Sequence, residues 1–171
     1  DVFPNNLPTQ LTSFVGREKE MLEVTQMLKQ SRLLTLTGSG GTGKTRLSLQ
    51  VASGILEQFK DGVWFIELAP VSEPALVPST VANVLRLRVE DSRPLTDVVM
   101  DWLSDKEALF ILDNCEHLID ACAQFANTIL QNCRGVRILA SSREALGVAG
   151  EAAYRVPSLP TPNAPLNINQ L

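Results

Sequence analysis

The chain has 171 residues, 44% of them apolar and 20% charged, with a formal net charge of −4 and a pI near 5.0. That is about one domain of chain, able to bury a sizeable core without disulfides or metal, and its acidic balance argues against the basic surface needed to grip a nucleic-acid backbone. No apolar run approaches the ~18 residues of a membrane span, and Asp1-Val2-Phe3-Pro4-Asn5-Asn6 lacks the charge and apolar stretch of a signal peptide, so the expectation is a cytoplasmic location, with neither nucleic acid nor membrane as a direct partner.

A proline-marked, extended lead-in at 1–13 precedes a helix expected over Arg17 to Gln30, with Met21, Val24 and Leu28 on one face. Leu33 to Thr37 reads as the first strand. It runs into Gly38-Ser39-Gly40-Gly41-Thr42-Gly43-Lys44-Thr45, a complete G-x-x-x-x-G-K-[ST] pattern, and then into a helical stripe of Leu47, Val51, Ile55 and Phe59 that Asp61-Gly62 should end. Val63 to Ile66 is the second strand, and Leu95, Val98, Val99, Trp102 and Leu103 fit an amphipathic helix begun near Pro94. Ala108 to Leu112 is a continuous apolar run ending at Asp113, as a central buried strand requires. Leu118, Cys122, Phe125 and Ile129 stripe the next helix, and Val136–Ala140 and Ala152–Val156 complete five strands. The alternation predicts an α/β, three-layer P-loop NTPase fold: a central five-stranded parallel sheet flanked by helices.

The loop residues each answer a chemical need. A β- and γ-phosphate pair requires backbone N–H groups converging from a loop that side chains would obstruct, and Gly38, Gly40, Gly41 and Gly43 meet that requirement. Lys44 sets an ammonium against the phosphate oxygens, the Thr45 hydroxyl is a ligand for Mg²⁺, and the following helix presents its positive end. The expected ligand is a nucleoside triphosphate with magnesium, held by Gly38, Ser39, Gly40, Gly41, Thr42, Gly43, Lys44, Thr45 and Arg46.

Asp113, at the carboxyl edge of its strand, is the second expected magnesium ligand, directly or through water; it or Asn114 also suits the cap of the next helix. Glu116 either orients and deprotonates an attacking water or sits beside a helix N-terminus for its charge alone. His117 reads as a surface or capping group. Arg143, after Ser141-Ser142 at the same sheet edge, either senses a γ-phosphate or pairs on the surface with Glu144 or another acid. Cys115, Cys122 and Cys133 have no C-x-x-C spacing and read as reduced structural thiols, and Trp64 and Trp102 as core.

Phe14-Val15-Gly16-Arg17-Glu18-Lys19-Glu20 matches the hhGRExE motif. Together with LLTLTGSGGTGKTRL, DGVWFIELAP, LFILDNCEHL and RILASSRE, it makes nearly the whole chain resemble the AAA+-like STAND class of signal-transduction ATPases. More narrowly, it looks like the NB-ARC-like modules of large bacterial SARP/LuxR-type regulators, which are commonly joined to a DNA-binding domain and TPR-type repeats. The resemblance implies that Val15, Gly16 and Arg17 lie against adenine, so that ATP and ADP are the nucleotides, and that Arg143 matches the arginine of the strand-four T-[ST]-R-like motif. It implies a nucleotide-binding domain over 14–160 and, at 161–171, a linker toward a helical lid and winged-helix domain absent from this chain.

Many relatives in that class carry a second acid directly after the strand-end aspartate. Asn114 stands there instead, and a carboxamide cannot accept a proton from water, so slow hydrolysis is expected. The reading is a slowly hydrolysing switch domain whose nucleotide state controls self-association or DNA binding through other domains of a transcriptional regulator. Two alternatives stay open: a non-hydrolysing nucleotide-binding interaction module, which Asn114 favours, and a phosphotransferase. Against the second, Arg86, Arg88 and Arg93 read as a solvated connection between helices rather than a basic lid.

Overall fold

The computed structural model describes residues 3–9, 16–89 and 91–158. Five strands, β1 (Leu33–Thr37), β2 (Val63–Glu67), β3 (Ala108–Asp113), β4 (Val136–Ser142) and β5 (Glu151–Arg155), form one sheet in the order β2-β3-β4-β1-β5. All neighbours are parallel, with Thr35 opposite both Ala140 and Ala153, and Ile111 opposite Phe65 and Leu139. Parallel pairing demands crossovers. Helices α1 (Glu18–Gln30), α2 (Lys44–Gly54), α3 (Val77–Val84), α4 (Leu95–Leu103) and α5 (Ile119–Asn132) fill the layers on its two faces.

Strand alternation sorts the side chains into two cores. Leu109, Ile111 and Leu139 join Val24, Leu28, Leu47 and Val51 on the face covered by α1 and α2, whereas Ala108, Phe110, Leu112, Ile138 and Ala140 join Val81, Val99, Cys122 and Ile129 under α3, α4 and α5. β3 lies between β2 and β4 and is buried at all six residues, which is why its sequence runs apolar without alternation. β2, an edge strand, is covered by the lead-in: Val63 N–H donates to Pro4 O at 3.1 Å, and the Asn6 carboxamide donates to Phe65 O at 2.9 Å and accepts from Phe65 N–H at 2.5 Å.

Several stretches differ from the sequence reading. α2 stops at Gly54, a poor helix former, and the chain continues through a 3₁₀ turn at Leu56–Gln58; Leu47, Val51, Ile55 and Phe59 are nevertheless all buried. The second is α3, preceded by a 3₁₀ turn at Pro74–Leu76, which went unrecognised. Pro74 and Pro78 read as breakers in a sequence, yet each occupies the first turn of its element, where a missing N–H costs nothing. β4 also runs two residues past Ala140, to Ser142.

Candidate functional site

The glycine-rich loop leaves the carboxyl end of β1 and enters α2 at Gly43, whose φ of 85° is left-handed and places the Lys44 and Thr45 N–H groups in the helix's first turn. The Lys44 ammonium donates to the Gly38 and Ser39 carbonyls at 2.6 and 2.9 Å, and the Thr42 hydroxyl donates to Ser39 O at 3.0 Å. Arg17, only 1% exposed, reaches beneath the loop and donates from Nη2 to Thr42 O at 2.6 Å. Its Nη1 lies 3.8 Å from Glu20, and neither Nη1 nor Nε has a hydrogen-bond acceptor among the described residues. Gly16 is exposed with φ 88° and Arg46 is half-buried in the first turn of α2; Val15 falls outside the described residues.

Strand parity brings the carboxylate to this loop. Asp113 points to the same face as Leu109 and Ile111, the α2 face, and Ser141 shares that side with Leu139. The Thr45 and Ser141 hydroxyls both donate to Asp113 Oδ1, each at 2.8 Å. Asn114 completes the set: its Nδ2 donates to Asp113 Oδ2 at 3.1 Å and its backbone N–H to Ser141 Oγ at 3.0 Å. Its φ of 62° is one that asparagine tolerates better than most residues.

The electrostatics follow from burial. Desolvation pushes the Asp113 carboxyl above its ordinary range, with the two hydroxyls pulling it back and Glu116 pushing it further up. Desolvation lowers the Lys44 ammonium, as does the Arg143 charge, while Glu116 and Asp113 oppose that fall. Glu116, in the turn after β3, has a buried Oε2 with no hydrogen-bond partner among the described residues. Arg143 is exposed, and its Nη2 lies 4.0 Å from where a Gly40 Cβ would sit. The structure thus gathers Lys44, Thr45, Asp113, Glu116 and Arg143 at one edge of the sheet.

The remaining expectations resolve into packing. His117 Nε2 bonds Val71 O at 2.8 Å, tying the β3–α5 turn to the segment after β2. All three cysteines are buried; the Cys115 thiol donates to Leu112 O and Cys133 lies against Met100. The Trp64 indole donates to Asp61 O, Trp102 carries the Lys106 ammonium 4.9 Å from its ring, and Arg93 pairs with Asp101. Two features escaped the sequence reading: Ser141 as a second donor to Asp113, and Arg17 as a support of the loop. Alternation along β4 gives the face on which Ser141 lies, but its place beside Asp113 follows from the strand order. The second depends on a contact 25 residues away.

A loop that converges on backbone N–H groups at a helix start, faced by a strand-end carboxylate across a parallel sheet, defines a P-loop NTPase fold. Residues 8–151 match the family model described as Novel STAND NTPase 1, and the chain belongs to that family. It is 42% identical over 153 residues to an uncharacterized protein of Mycobacterium tuberculosis, covering 90% of this chain and 39% of the relative. It is 44% identical over 133 residues to a protein of the same organism named as an HTH-type transcriptional regulator, covering 78% of this chain and 15% of that one. The chain therefore spans well under half of the curated relatives it matches.

Among solved structures, a STAND protein with a tetratricopeptide-repeat sensor from Pyrococcus horikoshii superposes with a TM-score of 0.64 at 13% identity, over 90% of this chain and 25% of that one. Cdc6p from Pyrobaculum aerophilum does so at 0.59 and 14%, over 88% and 47%. These two likenesses establish the shared fold. Among the described residues, no helix is long and apolar enough to cross a membrane.

Proposed function

We propose that the chain is a cytoplasmic ATP- and ADP-binding switch domain that hydrolyses ATP slowly and controls a transcriptional regulator. The observation that carries this reading is Asp113 Oδ1, which accepts from Thr45 on the loop's own helix and from Ser141 on the neighbouring strand. A hydroxyl and a carboxylate are hard oxygen donors suited to Mg²⁺, so Thr45 and Asp113 would hold the metal, with Ser141 orienting the carboxylate. Magnesium bound there neutralises charge on the phosphate oxygens.

Gly38 to Arg46 form the phosphate cradle, with Lys44 exchanging the Gly38 and Ser39 carbonyls for phosphate oxygens. The segment around Val15, Gly16 and Arg17 forms the base end, with the Arg17 side chain turned beneath the phosphate loop, and Arg143 reads the γ-phosphate across Gly40. Glu116 offers its buried Oε2, which has no hydrogen-bond partner among the described residues, to a water, replacing the acid that Asn114 cannot be. The domain runs from 14 to 160, with 1–13 leading in and 161–171 linking onward. Its partners are the lid, winged-helix and helical-repeat domains of a longer protein, together with nucleotide-dependent self-association.

Calorimetric titration of ATP and ADP with Mg²⁺ into the parent and Lys44→Ala, followed by phosphate release, tests the proposal. Binding abolished by the variant, with slow release in the parent, is expected; parent chain that binds neither nucleotide overturns it. One observation favours a second reading, a non-hydrolysing interaction module: the Asn114 carboxamide is itself bonded to Asp113. In that case binding persists with no phosphate released.

A further inference from the structure

The crossover from β4 to β5 uses residues 143–150 and no helix. It leaves the carboxyl edge beside the phosphate loop, where Ser142 pairs with Thr37, and returns to the opposite end of the sheet, where Glu151 pairs with Leu33. One carboxylate secures it. Glu151 accepts from the Leu146 and Gly147 backbone N–H groups at 2.8 and 2.9 Å, and from the Thr35 hydroxyl at 2.6 Å. Thr35 is fully buried in β1, between β4 and β5 and three residues before Gly38, and Leu146 is buried in the core beneath α5. Arg143 is three residues before Leu146, so its backbone lies within about 10 Å of that anchor.

We infer that Glu151 is a positioning residue for Arg143: by tying the crossover to β1, it sets the guanidinium at Gly40 and thereby the preference of the site for a triphosphate over a diphosphate. The inference rests on the proposed reading of Arg143. A carboxylate taking two backbone N–H groups and a hydroxyl uses only acceptor sites, so Glu151→Gln must turn its NH₂ toward one of those donors and lose that bond, with little change in shape.

The test is titration of ATP and of ADP, each with Mg²⁺, into the 171-residue parent, Arg143→Ala, Glu151→Gln and Arg137→Met, with amide hydrogen exchange of Leu146 and Gly147 measured in parallel. Arg143→Ala should weaken ATP about tenfold or more with ADP nearly unchanged, as expected for loss of one charge-assisted contact. Glu151→Gln should weaken ATP by roughly three- to tenfold, leave ADP within about twofold, and speed exchange at both amides. Arg137→Met, a destabilised control whose lost bonds lie at the end of α1 on the other face of the sheet, should leave the ATP-to-ADP ratio alone. If Arg143→Ala shifts the ratio while Glu151→Gln does not, or Glu151→Gln weakens both nucleotides equally, the inference fails and the reading of Arg143 stands. If Arg143→Ala leaves the ratio unmoved, both fall.

Discussion

At Asp113, folding and the proposed Mg²⁺ binding pull in opposite directions. Because its carboxyl is raised by burial, the folded chain holds that proton more tightly than the unfolded chain does. The ionised group therefore costs stability above its folded pKa, and the cost fades as the pH falls toward the ordinary carboxylate value near 4. Asp113→Asn is expected to melt no lower than the parent at pH 7, to lose any advantage near pH 4, and to lose the Mg²⁺-dependent part of ATP binding. Thermal melts at the two pH values and titrations with and without Mg²⁺ check both halves. In the proposed site Ser141 would act through its hydrogen bond to Asp113 rather than on the nucleotide, so Ser141→Ala should weaken Mg²⁺-dependent ATP binding by about tenfold, the usual effect of removing a partner that orients a metal ligand. Metal-free ADP binding should stay as it was, and an equal loss in both titrations would remove the orienting role.

At the scale of elements, two arginines distant in sequence finish the ends of α1 and α5. Arg137, from β4, donates from Nη1 to Leu28 O and Ser31 O at 2.6 and 3.1 Å, serving the orphan carbonyls at the end of α1. Arg32 does the same for α5, donating to Leu130 O in its last turn and to Cys133 O at its cap, and it also donates to Val136 O at the start of β4. Arg137→Met keeps much of the stem and removes the bonds, so a loss of about 1.5–3 kcal/mol in chemical denaturation is expected; a change below about 0.5 kcal/mol would show that water replaces the guanidinium. These contacts span more than 90 residues and have no local pattern, which is why sequence reading could not place them.

β1, β3, α4 and α5 were legible, because a continuous apolar run or a helical stripe is a local property that burial on a parallel sheet produces directly. α3 was not, since Pro74 in the 3₁₀ turn before it and Pro78 in its own first turn carry the same letters whether they break a helix or start one. Likewise, the spacing of Lys44 and Thr45 pointed to a phosphate loop, and the position of Asp113 to a strand end. That Ser141 and Thr45 share one oxygen of Asp113 needed the strand order and its parity.

For the molecule as a whole, the phosphate loop joins two cores that lie on opposite faces of one sheet. It leaves β1, whose Leu33 belongs to one core and whose Leu34 and Leu36 belong to the other, and it begins α2, which packs on the second. A ligand held by this loop binds only the folded chain, so it stabilises both cores together by RT ln(1 + [L]/Kd), about 2.7 kcal/mol at a hundredfold excess over Kd. For a domain of this length each kcal/mol moves the midpoint by about 2–4 °C. Saturating ATP with Mg²⁺ should therefore raise Tm by roughly 5–10 °C in a single cooperative transition. Lys44→Ala should abolish the shift, and chelating Mg²⁺ should shrink it for ATP more than for ADP. Scanning calorimetry distinguishes the outcomes: a rise confined to one of two separate transitions would mean that the cores unfold independently, and the absence of any rise at high nucleotide concentration would mean that the folded chain does not bind it.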